Sequence, residues 1–325
     1  MPPDLDSPHT MAAERQMPKF IRRSVIALRI DDPQLGEKAY GSWADAIILD
    51  FVKRPGRNWQ DDLESCMPAA IHAAAQGAAE VFVRIGCEAA VAELDAAVFT
   101  GLTGVVLTGA TGANDIDRVA QRLDLLESCR GIPVNTLEID VEVDNAAAVW
   151  HSLDIARASG RFGAFLLNEP ALCRALGMQT TPELAFDPLD YIKSQLITVA
   201  TSVGAQALGM SYPLVLTADP ADAQALTKAV RRARDTGFKG AVCAHLAWVE
   251  ACNEGFRPSA AEAAYYTRVI EVFAEGLKRG MASVPLDGKM VDVPVDLRAK
   301  LYLKWAERAQ ARDDAKARAH QKPVG

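Results

Sequence analysis

Eight short apolar runs alternate with longer amphipathic segments between residues 24 and 245. Each run is rich in β-branched side chains and is continuously apolar, which is typical of parallel strands covered on both faces. The runs are SVIALRI (24–30), DAIILDF (45–51), EVFVRI (80–85), GVVLT (104–108), NTLEI (135–139), GAFLL (163–167), YPLVL (212–216) and GAVCAH (240–245). A second segment, AQALGMS (205–211), competes with YPLVL for the seventh strand.

The segments between these runs predict helices. Four of them open on Asp or Asn, which suit a helix N-cap, and three close on or just before Gly77, Gly160 and Gly237. A strand followed by a helix, repeated eight times, is the pattern of an α/β protein with a (β/α)8 TIM barrel. An open doubly wound sheet is the alternative.

The rest of the chain predicts the domain organisation. Residues 1–20 are polar and contain proline, so we expect a disordered lead-in. The barrel occupies 21–255, and a C-terminal helix with a lid arm occupies 256–310. The charged stretch at 311–325, nearly free of large apolar residues, predicts a disordered tail.

Charge and composition exclude several classes of partner. The chain has 35 Lys plus Arg against 42 Asp plus Glu, a net charge of −7. This balance argues against nucleic acid or an anionic membrane as the main partner, because both favour concentrated positive charge. No apolar run approaches the roughly 18 residues of a membrane span, and no secretory signal pattern precedes the first strand. The six cysteines form no CxxC pair and are typical of reduced thiols in a cytoplasmic protein.

Charged residues interrupt or follow the apolar runs, where a barrel carries its chemistry. Asp50 ends the second run, Arg84 lies in the third, Glu138 interrupts the fifth, and Glu169 follows the sixth. Burying a charge costs several kcal/mol unless it is paired, so these residues need a partner or a role. Asp50 and Arg84 could simply form a structural ion pair at the rim.

Glu138 and Asp140 are two residues apart, which on a strand places both carboxylates on one face. Two carboxylates at a barrel mouth suit a hard cation, and Mg²⁺ typically takes one or two of them plus waters and substrate oxygens. Alternatively, Asp140 caps the following helix.

Three segments resemble the citrate lyase β-subunit-like branch of the HpcH/HpaI aldolase superfamily, which includes malyl-CoA and citramalyl-CoA lyases. Residues 22–50 are similar to the family opening RSxLxxPGxxxxxxEKAxxxGADAxILDLED, and 237–271 to GFxGKxxIHPxQVxxxNxxFxPS. LDGKMVDVPV at 286–295 matches the lid motif LDGKMIDxPV. The resemblance implies a Mg²⁺-dependent carbon–carbon lyase or aldolase. Its substrate would be a 3-hydroxyacyl-CoA, with coenzyme A bound as a thioester, or a 2-oxo or hydroxy organic acid.

The resemblance also implies roles for individual residues. Arg84 stands where the family's arginine binds the substrate carboxylate or carbonyl, and Glu138 stands at the first Mg²⁺ carboxylate. Asp292 matches the lid aspartate that acts as an acid or base in a neighbouring subunit. Arg23 and Lys38 match basic positions near the coenzyme A nucleotide.

The chain departs from the family pattern at the acidic positions. LDLED becomes LDFVK, so Asp50 is retained as a catalytic candidate and Lys53 occupies the second acidic position. Ala171 stands where the second metal-binding Asp is expected, and Glu169 or Asp140 would have to replace it. Two functions therefore remain open: a retuned lyase, and a non-catalytic homologue that binds an acyl-CoA or organic acid without cleaving it.

The lid arm predicts assembly. Its apolar residues would lack cover on a lone barrel, and such patches usually mark an interface. These residues are Leu286, Met290, Val291 and Val293. With the resemblance, this favours a homotrimer in which Asp292 of one chain approaches Arg84 and Glu138 of the next. The alternative is an arm that folds back on its own subunit.

Overall fold

Eight parallel strands form one sheet in the computed structural model, which describes residues 21–53, 58–178, 186–210 and 222–321. The strand order is β7-β6-β5-β4-β3-β2-β1-β8. The strands are β1 (Ser24–Arg29), β2 (Ala46–Asp50), β3 (Glu80–Gly86), β4 (Gly104–Thr108), β5 (Glu138–Val143), β6 (Phe162–Leu167), β7 (Gln206–Leu208) and β8 (Ala241–Cys243). A parallel bridge between Leu208 and Gly240 joins the two edge strands, so the sheet is a nearly closed barrel. The TIM barrel expected from the sequence is confirmed.

Helices follow the strands around the outside of the barrel and continue beyond it. They are α1 (Leu35–Ser42), α2 (Trp59–Ala75), α3 (Ala90–Ala97), α4 (Ala113–Arg130), α5 (Ala146–Trp150), α6 (Ser152–Ala158), α7 (Glu169–Ala175), α8 (Asp190–Ser202), α9 (Ala223–Thr236), α10 (Trp248–Gly255), α11 (Ala260–Lys278) and α12 (Val293–His320). A short antiparallel hairpin, β9 (Val284–Leu286) and β10 (Lys289–Val291), separates α11 from α12. Within the described ranges, no helix has the length and apolar character needed to cross a membrane.

The fifth and seventh strands differ from the sequence prediction. β5 begins at Glu138 and runs to Val143, whereas the predicted strand ended at residue 139. β7 lies inside the segment 205–211, the competing candidate for the seventh strand. The first candidate, 212–216, and the expected disordered lead-in, 1–20, lie outside the described residues.

A small apolar layer fills the middle of the barrel. Its buried members are Val25, Ala46, Ile48, Phe82, Val106, Ala164, Leu166 and Leu208, with Ala27 and Val242 packed against them. A much larger apolar cluster packs between the strands and the surrounding helices. Among the described residues, the layer has no member from β5, on which Glu138, Asp140 and Glu142 share one face and connect the polar groups at the two ends of the barrel.

Helix α12 runs back to the amino end of the barrel. Its last turns place Asp313 against Arg23, Lys316 against Asp45, and His320 against the rings of Tyr40 and Trp43. The expectation of a disordered tail is therefore wrong for residues 311–320, because their charged side chains find buried partners on the barrel.

The hairpin packs on its own chain. Val284, Leu286 and Val291 are buried with Val269 and Phe273 of α11. The approach is close: a Cβ atom at residue 276 would lie 2.3 Å from Cγ1 of Val284, so glycine is needed there. The expectation that all four apolar residues of the arm lack cover is wrong for Leu286 and Val291.

The other two apolar residues of the arm remain accessible. The Met290 side chain is 64% exposed and the Val293 side chain is 42% exposed. A patch for a neighbouring subunit is therefore smaller than the sequence suggested.

Candidate active site at the carboxyl rim

An arginine between two acids occupies the carboxyl end of the barrel. The Arg84 guanidinium of β3 donates from Nη1 to Oδ2 of Asp50 at 2.5 Å. Its Nη2 lies 3.1 Å from Oε2 of Glu142 on β5. Asn168 then donates from Nδ2 to Oε1 of Glu142 at 2.6 Å. Four strand ends, β2, β3, β5 and β6, therefore contribute to one polar cluster, which we call the rim cluster (Asp50, Arg84, Glu142 and Asn168).

The ion pair between Asp50 and Arg84 was an open alternative in the sequence, and the structure contains it. The arginine retains an unused donor, because its buried Nε has no hydrogen-bond partner among the described residues. The side chains of Arg84 and Asp50 are partly exposed, at 24% and 35%. A solute can therefore reach this ion pair from the barrel mouth.

Sequence reasoning missed Glu142. The signal was the alternation of Glu138, Asp140 and Glu142 in EIDVEV, which on a strand directs all three carboxylates to one face. The fifth strand was predicted about four residues too early, so its acids were assigned to the wrong end. In the structure Glu142, and not Glu138, lies beside Arg84.

A second ion pair borders the rim cluster. Lys53, just beyond β2, pairs with Glu93 of α3, and its ammonium lies 4.9 Å from the ring centroid of Trp59. The Glu93 carboxylate also accepts the backbone N–H of Gly86 at 2.6 Å. Glu93 is buried, so both interactions hold the end of β3 in place. The lysine in the family's second acidic position thus has a local partner.

Glu169 is part of a buried triad behind the rim. Its Oε1 lies 2.6 Å from Nζ of Lys193 on α8, and this ammonium is also 2.6 Å from Oδ2 of Asp187. All three residues are buried. Burial raises the pKa of the Glu169 carboxyl, while the nearby Lys193 charge acts in the opposite direction. The Asn168 side chain accepts the backbone N–H of Ala171 and so caps the start of α7, the helix that follows β6.

Glu138 begins β5 at the amino end of the barrel and Asp140 faces Arg22 there, so their expected placement beside Arg84 on the carboxyl rim is wrong. They share one face of β5 as predicted, but Glu138 is the first residue of that strand. Arg22, just before β1, donates from Nη2 to Glu138 at 2.5 Å, and its Nη1 lies 3.4 Å from Asp140. Its Nε donates to Glu80 at 2.5 Å.

This group, which we call the floor cluster, consists of Arg22, Glu80, Glu138, Asp140 and Arg312, whose guanidinium pairs with Glu80. Burial raises the pKa of Asp140 to about 7; Arg22 opposes this shift and Glu138 adds to it. Gly163 of β6 makes room for the acids, because a Cβ atom there would lie 2.5 Å from Oδ1 of Asp140. Glu138 and Asp140 both pair with Arg22, and among the described residues no ion pair joins them to Arg84.

Arg23 and Lys38, the expected nucleotide-binding residues, have different surroundings. Arg23 is fully buried at the amino end and donates to both oxygens of Asp45, at 2.8 and 2.9 Å. It also donates to Asp313. A side chain enclosed in this way is not accessible to a nucleotide, so that assignment is wrong for Arg23. Lys38, on α1, is partly exposed and pairs with Asp32 at 2.5 Å. Its role as a contact for the coenzyme A nucleotide stays a prediction.

Asp292 caps helix α12. Its Oδ1 accepts the backbone N–H of Val295 at 3.2 Å. The next two residues are Val293 and Pro294, and proline suits the first turn of a helix. In the single chain described, this carboxylate contacts its own helix; its role in a neighbouring site stays a prediction.

The residues of the rim do not fit the Mg²⁺ ion that the resemblance implies. In the described part of the chain, no group of three or more His, Cys, Asp and Glu side chains is arranged to hold a metal. Glu142 offers one carboxylate, but Arg84 and Asn168 already engage it. Ala171 has no ligand atom, and Glu169 is paired with Lys193.

In enzymes built on a TIM barrel, the active site lies at the carboxyl end of the strands, where the rim cluster is found. The chain belongs to the HpcH/HpaI aldolase/citrate lyase family, whose model matches residues 23–246. It is 22% identical to the citrate lyase subunit beta of Escherichia coli K12, over 93% of this chain and 99% of that protein. It is 25% identical to a (3S)-malyl-CoA thioesterase of Cereibacter sphaeroides, over 83% of this chain and 89% of the relative.

A solved structure supports the fold. The protein CitE of Mycobacterium tuberculosis, in complex with magnesium, acetoacetate and coenzyme A, has a TM-score of 0.61 with this chain. The match covers 88% of this chain and 98% of that protein, at 22% identity. At this identity the likeness establishes the barrel alone.

Proposed function

We propose that this protein is a citrate lyase β-like carbon–carbon lyase that acts on an organic acid or its coenzyme A thioester at the rim cluster. The observation that carries the proposal is the Arg84 guanidinium, held in the barrel mouth between Asp50 and Glu142. Guanidinium groups bind carboxylates and developing oxyanions through paired hydrogen bonds. The relatives named above, a citrate lyase subunit and a malyl-CoA thioesterase, support this substrate class.

The rim cluster can perform a retro-aldol cleavage. Asp50 or Glu142 accepts the proton of the substrate hydroxyl, and the carbon–carbon bond breaks as a carbonyl forms. The electron pair of that bond becomes an enolate, whose oxygen Arg84 stabilises. The enolate is then protonated by the acid formed in the first step, so protons balance over the cycle. Because the residues do not fit Mg²⁺, no step is assigned to a metal.

A second candidate is a homologue that binds an acyl-CoA or organic acid without cleaving it. The observation that favours it is the pairing of both rim acids with Arg84, together with Ala171 in the family's metal position. Each of these carboxylates contacts the guanidinium, and this contact has to be displaced before the carboxylate can reach a substrate hydroxyl. Lys38 is retained in either case as a candidate contact for the coenzyme A nucleotide.

One assay distinguishes the two candidate functions. Purified protein is mixed with (3S)-malyl-CoA, and the products are identified by mass spectrometry while calorimetry records binding. Acetyl-CoA with a released 2-oxo acid supports the lyase, whereas binding without products supports the non-catalytic homologue. Release of the free thiol alone indicates a thioesterase, and the absence of both binding and products contradicts both candidates.

We further propose a cytoplasmic homotrimer in which Asp292 of one chain reaches the rim cluster of the next. Met290 and Val293, the exposed apolar residues beside it, support a contact with another subunit. The six free cysteines support a reducing compartment. Light scattering should give three times the chain mass of 35.0 kDa. A monomer at micromolar concentration would contradict the trimer, and Met290→Ser should weaken it.

A further inference from the structure

We infer that the rim cluster works without a divalent cation and that Arg84 supplies the positive charge that a metal would otherwise provide. The metal part of this inference depends only on the described side chains. Its ligand part rests on the proposed function, because it takes a carboxylate or 2-oxo acid as the substrate class. Three features of the rim support the inference, in three steps: its ligands, its charges and the unused donor of Arg84.

The first step concerns ligands. Mg²⁺ needs about six oxygen ligands in near-octahedral geometry, and proteins usually supply one or two carboxylates among them. At the rim, Ala171 replaces one expected carboxylate by a methyl group. Glu169 cannot take the place of this carboxylate without losing a buried ion pair, since its Oε1 lies 2.6 Å from Nζ of Lys193. Moving it would leave a buried ammonium with Asp187 alone.

The second step concerns charge. Glu142 lies 3.1 Å from the Arg84 guanidinium and accepts a 2.6 Å hydrogen bond from Asn168. A cation on this carboxylate would share it with a guanidinium that cannot lose its proton. Lys53 adds a further positive charge at the family's second acidic position, where Glu93 neutralises it. Each acid of the rim therefore already has a side-chain cation as a partner, with Arg84 shared between Asp50 and Glu142.

The third step concerns the donor that remains free. Arg84 uses Nη1 on Asp50 and Nη2 on Glu142, while its buried Nε has no hydrogen-bond partner in the described residues. Asp50 is the more exposed of the two acids, so a ligand carboxylate can displace it with the least loss of buried contact. Displacement of Asp50 makes Nη1 of Arg84 available to a ligand carboxylate, which forms an anion site from protein groups alone.

Calorimetry on the purified full chain tests the metal part. Wild type titrated with Mg²⁺ at millimolar concentration should give no saturable heat. Ala171→Asp restores the missing carboxylate and should gain a saturable signal. Its matched control, Ala171→Asn, has the same size without the charge and should stay close to wild type. Saturable Mg²⁺ binding by wild type that Glu142→Gln removes would overturn the inference.

Thermal shift with acetoacetate as the probe tests the ligand part. The shift should be the same in EDTA and in excess Mg²⁺. Arg84→Gln should weaken acetoacetate binding by about ten- to a hundredfold, the usual loss for a charged hydrogen bond. A shift that appears only with Mg²⁺ would overturn the inference. If the assay with (3S)-malyl-CoA yields no cleavage products, the proposed lyase is contradicted. The result of the Mg²⁺ titration does not depend on that outcome.

Discussion

Arg22→Gln should lower the free energy of unfolding by about 3–5 kcal/mol, the usual cost of removing one partner from a buried charge network. Arg22 is 2% exposed and joins three acids, Glu80, Glu138 and Asp140. Its guanidinium also lies 4.6 Å from the ring centroid of Phe82 in the apolar layer above. Glutamine keeps some polarity but leaves these carboxylates with Arg312 as the remaining cation of the floor cluster.

The loss should depend on pH. Burial already raises the pKa of Asp140 to about 7, above its unfolded value of 3.8, and removing Arg22 removes the group that opposes this shift. The folded variant therefore binds more protons than the unfolded chain, so its stability falls as pH rises through this interval. Compared with wild type, the variant should be less impaired at pH 5 than at pH 8.

A matched arginine controls for the substitution itself. Arg29, at the other end of β1, forms an exposed pair with Asp31. Arg29→Gln should leave the free energy of unfolding close to that of wild type, because exposed ion pairs contribute little. Urea denaturation at both pH values measures each variant. A loss for Arg22→Gln as small as that for Arg29→Gln would show that the floor cluster is not a stabilising network.

Arg84→Gln should reduce kcat/KM for the cleaved substrate by about 10²–10³, the usual loss for one donor that stabilises a developing oxyanion. The substitution removes the donors on Asp50 and Glu142 together with the free Nε. Arg84→Lys keeps the charge without the planar fork of donors and should recover part of the activity.

Arg84→Gln should cost less stability than Arg22→Gln, because the Arg84 side chain is partly exposed and Glu142 keeps its hydrogen bond from Asn168. Arg122→Gln is the control, since this arginine pairs with Asp95 on the outer helices. Steady-state assays and thermal denaturation together separate the two effects. Equal losses of activity for Arg84→Gln and Arg122→Gln would contradict a role for Arg84 at the reacting atoms.

The sequence predicted the barrel because continuously apolar strands and capped helices are local signals. It also placed Asp50 and Arg84 at the carboxyl end, where the structure pairs them. The position of β5 was wrong, because NTLEI has the apolar character of a strand while DVEV reads as polar. That error moved Glu138 and Asp140 to the wrong end and hid Glu142.

The role of α12 was hidden for a different reason. The partners of its last turns, Arg23, Asp45 and Glu80, lie more than 200 residues earlier in the chain. A charged segment with few large apolar residues is typical of a solvated tail when read alone. Its ordering depends on those distant partners, and no local pattern contains them.

The return of α12 to the barrel sets the order in which the molecule is completed during synthesis. Arg23 meets Asp45 within the first strands, but Asp313 and Lys316 are made only after all eight strands. Burying Arg23 before that point would leave part of its guanidinium without a partner. The amino end of the barrel thus contains both the first strand to be synthesised and its last partners, which belong to α12. A nascent chain that ends before α12 lacks Asp313 and Lys316, so among the described residues Arg23 has only Asp45 and the Asn253 carbonyl as partners at this end.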